Sequence, residues 1–230
     1  MKIKSLISSV VILLSINTAY AQFSVIKDLD EIGFIVGAGF SNLIGTDVFG
    51  ESKTKAGYLA GINLNYYYLN TKKLSFTVTP LYEKKGYKTE NKMFYYLDPS
   101  KQYLVLGKQT NETDIWAITV PIMWKYRLNE GPVKFYTSIG GYGSLIKKME
   151  YNFYSPDQGS FKSSRNNIND FDWGISLGLS ADHRFNDKLI LCAGALSNVG
   201  FAGIINNSKA VITTTSLYIA VRIIKAGRTK

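Results

Sequence analysis

The sequence predicts an all-β protein, an eight-stranded antiparallel up-and-down transmembrane β-barrel. Three observations predict it: eight windows without charged residues, a two-residue periodicity inside them, and connections that alternate between short and long. Successive side chains of a strand point to opposite faces, whereas apolar residues of a helix recur every three to four positions. The composition, 46% hydrophobic and 19% charged, excludes a disordered chain.

The first 21 residues have the pattern of a secretory signal peptide. A basic start is followed by an apolar segment over residues 6–16 and by the small-residue motif Ala19-Tyr20-Ala21. The apolar segment is shorter than the roughly 20 residues that a membrane-spanning helix needs. We therefore expect cleavage between Ala21 and Gln22. The predicted organisation is a signal peptide over 1–21, a short periplasmic segment over 22–31, the barrel over 32–224 and a periplasmic basic tail over 225–230.

The charge-free windows have about the length, 9–11 residues, of a tilted strand that crosses a membrane. Large residues alternate with small or polar ones inside them: Tyr58, Ala60 and Ile62 share one face, and Gly57 and Gly61 the other. This is strand periodicity. The windows are 32–46, 56–70, 74–82, 115–124, 135–146, 173–181, 189–208 and 210–221.

Neither face of these windows carries charge, so the bulky apolar face is predicted to contact lipid and the Gly, Ser, Thr and Asn face to fill a narrow interior. Aromatic residues ten positions apart support this, because about 33 Å of tilted strand spans the apolar band of an outer membrane. A secreted, soluble, lipocalin-like binding barrel is the alternative. The predicted aromatic girdle is Tyr58, Tyr68, Trp116, Trp124, Tyr126 and Trp173.

The connections alternate in length, and this sets the orientation. Short links at 70–73, 129–132 and 186–188 are expected on the periplasmic side, and long links at about 42–55, 86–114, 147–170 and 198–209 are expected outside. An even number of strands then puts both chain ends in the periplasm. Two apolar segments around Pro99-Ser100 resemble an extracellular hairpin. If they crossed the membrane instead, the barrel would have ten strands.

Several charged residues fall on the inward face. An ion or substrate path is one interpretation; a self-satisfied charge network that fills the barrel is favoured, because eight strands leave room only for side chains. This interpretation predicts that Arg184→Leu lowers thermal stability. The predicted interior network is Glu83, Lys85, Lys125, Arg127, Asp172, Asp182, Arg184 and Arg222.

No catalytic or metal site can be assembled from the sequence. His183, the only histidine, is predicted to face lipid near a periplasmic turn, and Cys192 to face inward as filler. The glycine-rich segments do not match a phosphate-binding loop. We expect no cofactor and no nucleic-acid partner. Basic residues of the outer rim suggest contact with outer-membrane lipid and with the anionic phosphates of lipopolysaccharide; these are Lys53, Lys55, Lys84, Lys85, Lys88 and Lys92.

The chain resembles the PorT-like outer-membrane β-barrel family of double-membraned bacteria. The matching segments include "GFIVGAGFSN", "LSFTVTPLYEKKGYK", "WAITVPIMWKYRL" and "DFDWGISLGLSADHRF". The resemblance covers nearly all of the chain after the signal peptide and implies an eight-stranded barrel in the outer membrane. It also implies that most members have no assigned activity and that some are tied to protein secretion. A departure is the end of the chain, where a basic segment follows Ile224 in place of a terminal aromatic residue.

The resulting expectation is a monomeric, non-enzymatic outer-membrane barrel with a structural or surface-contact role through long extracellular loops. It would be exported by its signal peptide, inserted by the outer-membrane assembly machinery, and could contact an envelope protein. The alternative is a component or accessory factor of a protein-secretion apparatus.

Overall fold

A computed structural model describes residues 29–45, 51–67, 73–98, 103–155, 159–164, 169–202 and 210–224. The predicted signal peptide with its Ala21-Gln22 cleavage site, Tyr68 and the basic tail lie outside these residues. In the part described, no helix is long and apolar enough to cross a membrane. The strands are β1 (Glu31–Ile44), β2 (Glu51–Tyr67), β3 (Leu74–Val78), β4 (Leu81–Asp98), β5 (Tyr103–Arg127), β6 (Val133–Ser155), β7 (Gly159–Ser164), β8 (Phe171–Arg184), β9 (Leu189–Gly200) and β10 (Val211–Ile224).

These strands form one closed antiparallel sheet. The first strand, β1, pairs with both β2 and β10, and the chain of pairings runs onward through β9, β8, β6 and β5 back to β3 and β4. β3 and β4 occupy the same place in the ring, because each pairs with β2 on one side and β5 on the other. β7 pairs with β6 as a short addition. The barrel wall therefore has eight strands, as the sequence predicts.

The interruption between β3 and β4 lies at Pro80. Proline has no backbone N–H and cannot donate to the ladder. Its carbonyl still accepts from the Ile62 N–H at 3.0 Å, and the Thr79 N–H donates to the Pro121 carbonyl at 3.0 Å. The sheet thus stays continuous across the break, and the third predicted window corresponds to β3 together with the start of β4.

The outer surface of the wall is apolar. Large side chains at alternate positions point away from the barrel, including Phe34 at 74% exposure, Leu179 at 62% and Ile219 at 64%. Their sequence neighbours Ile35 and Ala220 are buried. Exposed apolar area of this extent is stable only when hydrocarbon covers it, so the lipid-facing interpretation is supported and the soluble lipocalin-like alternative is not.

The two ends of the barrel differ. The start of β1, the end of β10 and the short connections from β5 to β6 and from β8 to β9 lie at one end, here called the terminal end, and the opposite end is called the hairpin end. At the hairpin end, β4 and β5 remain paired as far as Asp98 and Tyr103, and β5 and β6 as far as Thr110 and Tyr154. The segments expected to be long loops over 86–114 and 147–170 are therefore largely extended strands. The segments around Pro99 form a hairpin above the barrel and add no further crossing.

Candidate functional site: the barrel interior and its outer rim

The interior near the terminal end holds a buried charge group, here called the seam cluster: Glu31, Lys125, Asp182 and Arg222. Arg222 Nη1 donates to Glu31 Oε2 at 2.6 Å, and Arg222 Nη2 is ion-paired with Asp182. Lys125 Nζ donates to Asp182 Oδ2 at 3.1 Å. The guanidinium and both carboxylates are at most 4% exposed. Two cations and two anions thus neutralise one another inside the wall.

Neighbouring polar side chains also donate hydrogen bonds to the Glu31 carboxylate. Asn65 Nδ2 donates to Oε2 at 2.9 Å and the Tyr67 hydroxyl to Oε1 at 2.7 Å. The Thr77 hydroxyl in turn donates to Asn65 Oδ1 at 2.6 Å, which fixes the orientation of the amide. Because a buried carboxylate is costly without partners, these donors are what allows Glu31 to remain inside.

Small residues make room for the long side chains of the seam cluster. Gly33 lies opposite Arg222 in the β1–β10 register. A Cβ atom at position 33 would lie 2.5 Å from Arg222 Cγ and would also clash with the Val221 carbonyl. Because Gly33 has no side chain on the inner face, the aliphatic part of Arg222 can pack directly against the backbone of the first strand.

An apolar layer separates the seam cluster from the hairpin end. Its buried side chains pack at mid-barrel, and a cavity of about 30 Å³ remains beside them, room for only one or two water molecules. The lone cysteine belongs to this layer, buried as predicted. The members are Ile35, Leu59, Leu81, Met123, Cys192, Leu196 and Ala220, with Tyr218 packed against them.

A second charge group, the outer cluster, lies beyond this layer: Glu83, Lys85, Tyr142 and Asp172. Lys85 Nζ is 3.7 Å from Glu83 Oε2 and 3.8 Å from Asp172 Oδ2, and all three side chains are at most 3% exposed. The Tyr142 hydroxyl donates to Asp172 Oδ2 at 3.0 Å. One lysine thus faces two carboxylates.

A second apolar layer lies at the hairpin end of the interior. Its buried side chains come from β1, β4, β5 and β6 and from the start of β10. Packed apolar side chains thus alternate with paired charges along the described part of the interior, an arrangement that fills the barrel. The members of this layer are Leu43, Tyr87, Ile115, Ile146, Met149, Tyr151, Ala210 and Ile212.

The eight residues predicted to form one interior charge network do not all lie together. Six of them form the two clusters: Glu83, Lys85 and Asp172 in one, and Lys125, Asp182 and Arg222 in the other. Arg127 lies on the same face but pairs with Glu130 at 3.1 Å in the adjacent turn.

Two sequence-based assignments are corrected. Arg184 lies outside the interior: its side chain is 45% exposed and reaches Asp187 at 3.5 Å, because the strand ends there and the chain turns. The sequence pattern predicts Glu31 in the periplasmic segment 22–31, but Glu31 lies in the first strand and pairs with Ile224. Extending the alternation of Gly33 and Ile35 back by one step would have placed Glu31 on the inner face.

The aromatic girdle residues lie on the outer surface. Tyr58, Trp124, Tyr126 and Trp173 are about half exposed, and Trp116 is partly covered. Trp116 and Tyr126 mark the two ends of the apolar stretch of β5, as expected for side chains that favour a membrane–water interface. Tyr68 lies outside the described residues.

Charged side chains form a dense group just above this girdle at the hairpin end. Asp114 Oδ1 accepts from Lys55 at 3.0 Å and from Lys84 at 3.3 Å. The hydrogen bond from Lys88, together with the nearby Lys55, lowers the pKa of Glu112 below its ordinary value. Near them, the hydrogen bond to Glu90 raises the pKa of Lys53.

None of the side-chain groups described above is arranged as a metal centre. Among the described residues, no group of three or more His, Cys, Asp and Glu side chains is placed to hold a metal ion. The exposed His183 lies at the terminal end of β8, and Asp172 of the outer cluster lies near the opposite end of the same strand. The carboxylates inside the barrel instead face lysine and arginine.

Comparison with known proteins gives one family and several solved barrels of low identity. Neisserial surface protein A is 19% identical, with 84% of this chain and 97% of that chain covered and a TM-score of 0.43. OprG from Pseudomonas aeruginosa is 10% identical, with 86% and 98% covered and a TM-score of 0.45. The outer membrane protease OmpT from Escherichia coli is 8% identical, with 85% and 97% covered and a TM-score of 0.39. No curated protein matches the chain.

The family model matches residues 21–206, which include the first nine strands from β1 to β9. Its description agrees with the closed antiparallel wall and the apolar exterior, and the family implies the outer membrane of a Gram-negative bacterium as the compartment. The chain belongs to the outer membrane protein beta-barrel domain family.

Proposed function

We propose that the protein is a small, monomeric, non-enzymatic outer-membrane barrel that contacts an envelope or extracellular partner through the strands projecting from its hairpin end. Within the broader family we assign it to the PorT-like group on the segments quoted above. Export by a signal peptide cleaved after Ala21 and insertion by the outer-membrane assembly machinery are part of this proposal.

One observation carries the proposal: the barrel is filled inside and extended outside. The two charge clusters and two apolar layers occupy the interior, so transport is not supported. From Trp116 to the tip of its hairpin at Tyr103, β5 continues for about 43 Å of strand length beyond the apolar band. An ordered projection of this size is a surface for recognition.

The projecting sheet consists of consecutive strands. β4 and β5 stay paired beyond the aromatic girdle from Gly86 opposite Asp114 as far as Asp98 opposite Tyr103, and β6 pairs with both β5 and β7. Main-chain hydrogen bonds between neighbouring strands hold this sheet together. The projection is therefore part of the same sheet as the wall, and a partner bound there would be held at a fixed orientation to the membrane.

The test is a shortened protein in which Asn91 is joined to Gln109 through Asn-Gly. These residues oppose each other in the register, and Asn-Gly favours the two-residue turn that joins antiparallel strands. Pull-downs from detergent-solubilised outer membrane compare the two proteins. We expect the shortened protein to keep the heat-modifiable gel mobility of a folded barrel and to lose the partner.

Two results would contradict the proposal. Equal capture by both proteins would place the contact elsewhere, and well-defined conductance steps in planar bilayers would show an open path through the barrel. Co-purification of envelope secretion components with the full-length protein, but not with the shortened protein, would favour the secretion-apparatus alternative.

A further inference from the structure

Three neighbouring strands place two lysines on either side of a tryptophan at the hairpin end. Lys84 of β4 lies opposite Trp116 of β5, and Trp116 lies opposite Lys148 of β6. Each Nζ atom is 5.1 Å from the centroid of the Trp116 ring. The ring therefore lies between two ammonium groups, at a distance typical of cation–π contact.

A β-bulge adds a third lysine to this row. The partner of Trp116 is Lys148, but the partner of the next residue, Ala117, is Ile146, so Lys147 has no opposing residue in β5. Lys147 and Lys148 are both exposed, although consecutive residues of a regular strand face opposite sides. A bulge at the rim of a barrel commonly redirects a side chain in this way. Lys84, Trp116, Lys147 and Lys148 are called the rim patch below.

The rim patch lies at the edge of the lipid-facing surface. One step toward the terminal end, the same three strands present Tyr82, Ile118 and Leu145, which oppose one another in register and are 38–48% exposed. One step in the other direction the register brings Asp114 and Glu150 together. The lysines thus stand between hydrocarbon and the charged projection, at the level of lipid headgroups.

The surroundings of the rim patch carry more cations than anions. Lys84 pairs with Asp114 at 3.3 Å and Lys148 with Glu150 at 2.6 Å. Lys55 and Lys88 share Asp114 and Glu112. Five ammonium groups, including Lys147, therefore face three carboxylates at this level. Such an excess favours an anionic ligand.

We propose that the rim patch binds the phosphate group of an outer-leaflet glycolipid, with its acyl chains packed on Tyr82, Ile118 and Leu145. This inference rests on the outer-membrane location and names a ligand that the proposed surface function leaves open. A lipid is favoured over free phosphate because the lysines adjoin exposed apolar side chains on the outer wall. The lysine ammonium groups supply positive charge for the lipid phosphate. The Trp116 ring, with an apolar body and a polar N–H, is suited to the membrane–water interface.

The experiment measures lipid binding by protein purified from outer membranes into a zwitterionic detergent. The probes are bisphosphorylated lipid A, dephosphorylated lipid A and inorganic phosphate, and the dissociation constants are measured by microscale thermophoresis. We expect bisphosphorylated lipid A to bind most tightly. Lys147→Gln should weaken its binding about fivefold, and the triple change of Lys84, Lys147 and Lys148 to Gln on the order of a hundredfold.

Lys188→Gln is the matched control, because Lys188 is also exposed but lies in a turn at the terminal end. It should bind as the unchanged protein does. Unboiled gel mobility shows that each variant is folded, and Lys147→Gln removes no side chain from the interior. Equal binding by the triple variant, or equally tight binding of dephosphorylated lipid A or inorganic phosphate, would overturn the inference. Because no partner protein enters this measurement, its failure is separate from failure of the proposed surface function.

Discussion

Arg222 of the last strand donates a hydrogen bond to Glu31 of the first strand across 2.6 Å, although 191 positions separate the two residues. The contact lies inside the wall where β10 meets β1, which is the seam that closes the barrel. The interior charges therefore do more than fill space. The seam cluster ties the two ends of the sheet together with a buried, charge-assisted hydrogen bond, the strong class of such bonds.

Removing Arg222 should destabilise the closed barrel. We expect Arg222→Met to lower the free energy of unfolding by about 3–5 kcal/mol, because Glu31 and Asp182 would each lose a buried cationic partner. Urea unfolding followed by tryptophan fluorescence in detergent measures it. A Glu31→Leu change made in the same chain should recover part of the loss, since it removes one uncompensated charge.

Arg184→Gln is the control for this prediction. Arg184 was expected from the sequence to belong to the interior, but it pairs with a turn residue, Asp187, that is 97% exposed. Exposed ion pairs contribute little, so the change should remain within about 0.5 kcal/mol. If Arg184→Gln and Arg222→Met were equally destabilising, the assignment of the seam cluster would be wrong.

Gly33 should tolerate no side chain, because the Arg222 stem crosses it. We expect Gly33→Ala to lower the melting temperature and to slow refolding into micelles, since the added methyl group would contact Arg222 Cγ and the Val221 carbonyl. Gly141→Ala is the matched control: its nearest atom is the Gly174 carbonyl oxygen at 3.4 Å, an ordinary contact. Similar melting temperatures for the two variants would contradict the packing argument.

The outer cluster should be sensitive to the loss of its lysine. We expect Lys85→Met to lower the free energy of unfolding by about 3–5 kcal/mol, because Glu83 and Asp172 would be buried without a counter-charge. Adding Asp172→Asn to Lys85→Met should restore part of the stability. The stability of each variant is compared by heating samples to increasing temperatures short of boiling and following the shift in their gel mobility. A Lys85→Met protein as stable as the unchanged one would show that the cluster is solvated.

Stability of the projecting strands should depend on pH through Glu112. Its pKa is lower in the folded protein, chiefly through the hydrogen bond from Lys88, than in the unfolded chain. The carboxylate therefore stabilises the fold above the unfolded-state pKa of about 4.3, and this contribution is lost as the pH falls through the lower, folded-state value. The Glu112 side chain is 39% exposed, so we expect at most about 0.5 kcal/mol.

Hydrogen exchange of β5 above the girdle measures this effect in the unchanged protein and in Glu112→Gln between neutral and acidic pH. The difference between the two proteins should be present near neutrality, vanish in acid and shrink at high salt. A difference that grew as the pH fell would contradict the assigned direction of the pKa shift.

The alternation of residue types was sufficient to predict the exterior. Tyr58, Ala60 and Ile62 are exposed while their neighbours Gly57 and Gly61 are partly covered, as their spacing indicates, because the two-residue period of a strand fixes the side of every residue once one face is known. The same rule put Lys125, Asp182 and Arg222 inside. It could not show which of them would meet, because a contact across a barrel depends on the register between strands that are distant in the chain.

The extent of the strands was not evident from charge-free windows. Charged and polar residues above the apolar band resembled loops, yet β4, β5 and β6 continue through them, because each strand finds a neighbour to pair with. The bulge at Lys147 is likewise a property of the pairing and has no signal in the local sequence. In a membrane barrel, the first charged residues after an apolar window indicate where the lipid-facing surface ends. The strand itself can continue beyond that point.

The sequence by itself determined that this protein is a lipid-facing antiparallel barrel, since solvent preference is encoded residue by residue along each strand. Only the tertiary structure decided that Glu31 closes the seam with Arg222, that Arg184 stays outside and that two lysines flank Trp116. The physical reason is that these contacts join residues from different strands. Ring closure and register bring such residues together, and both are set by the whole sheet at once.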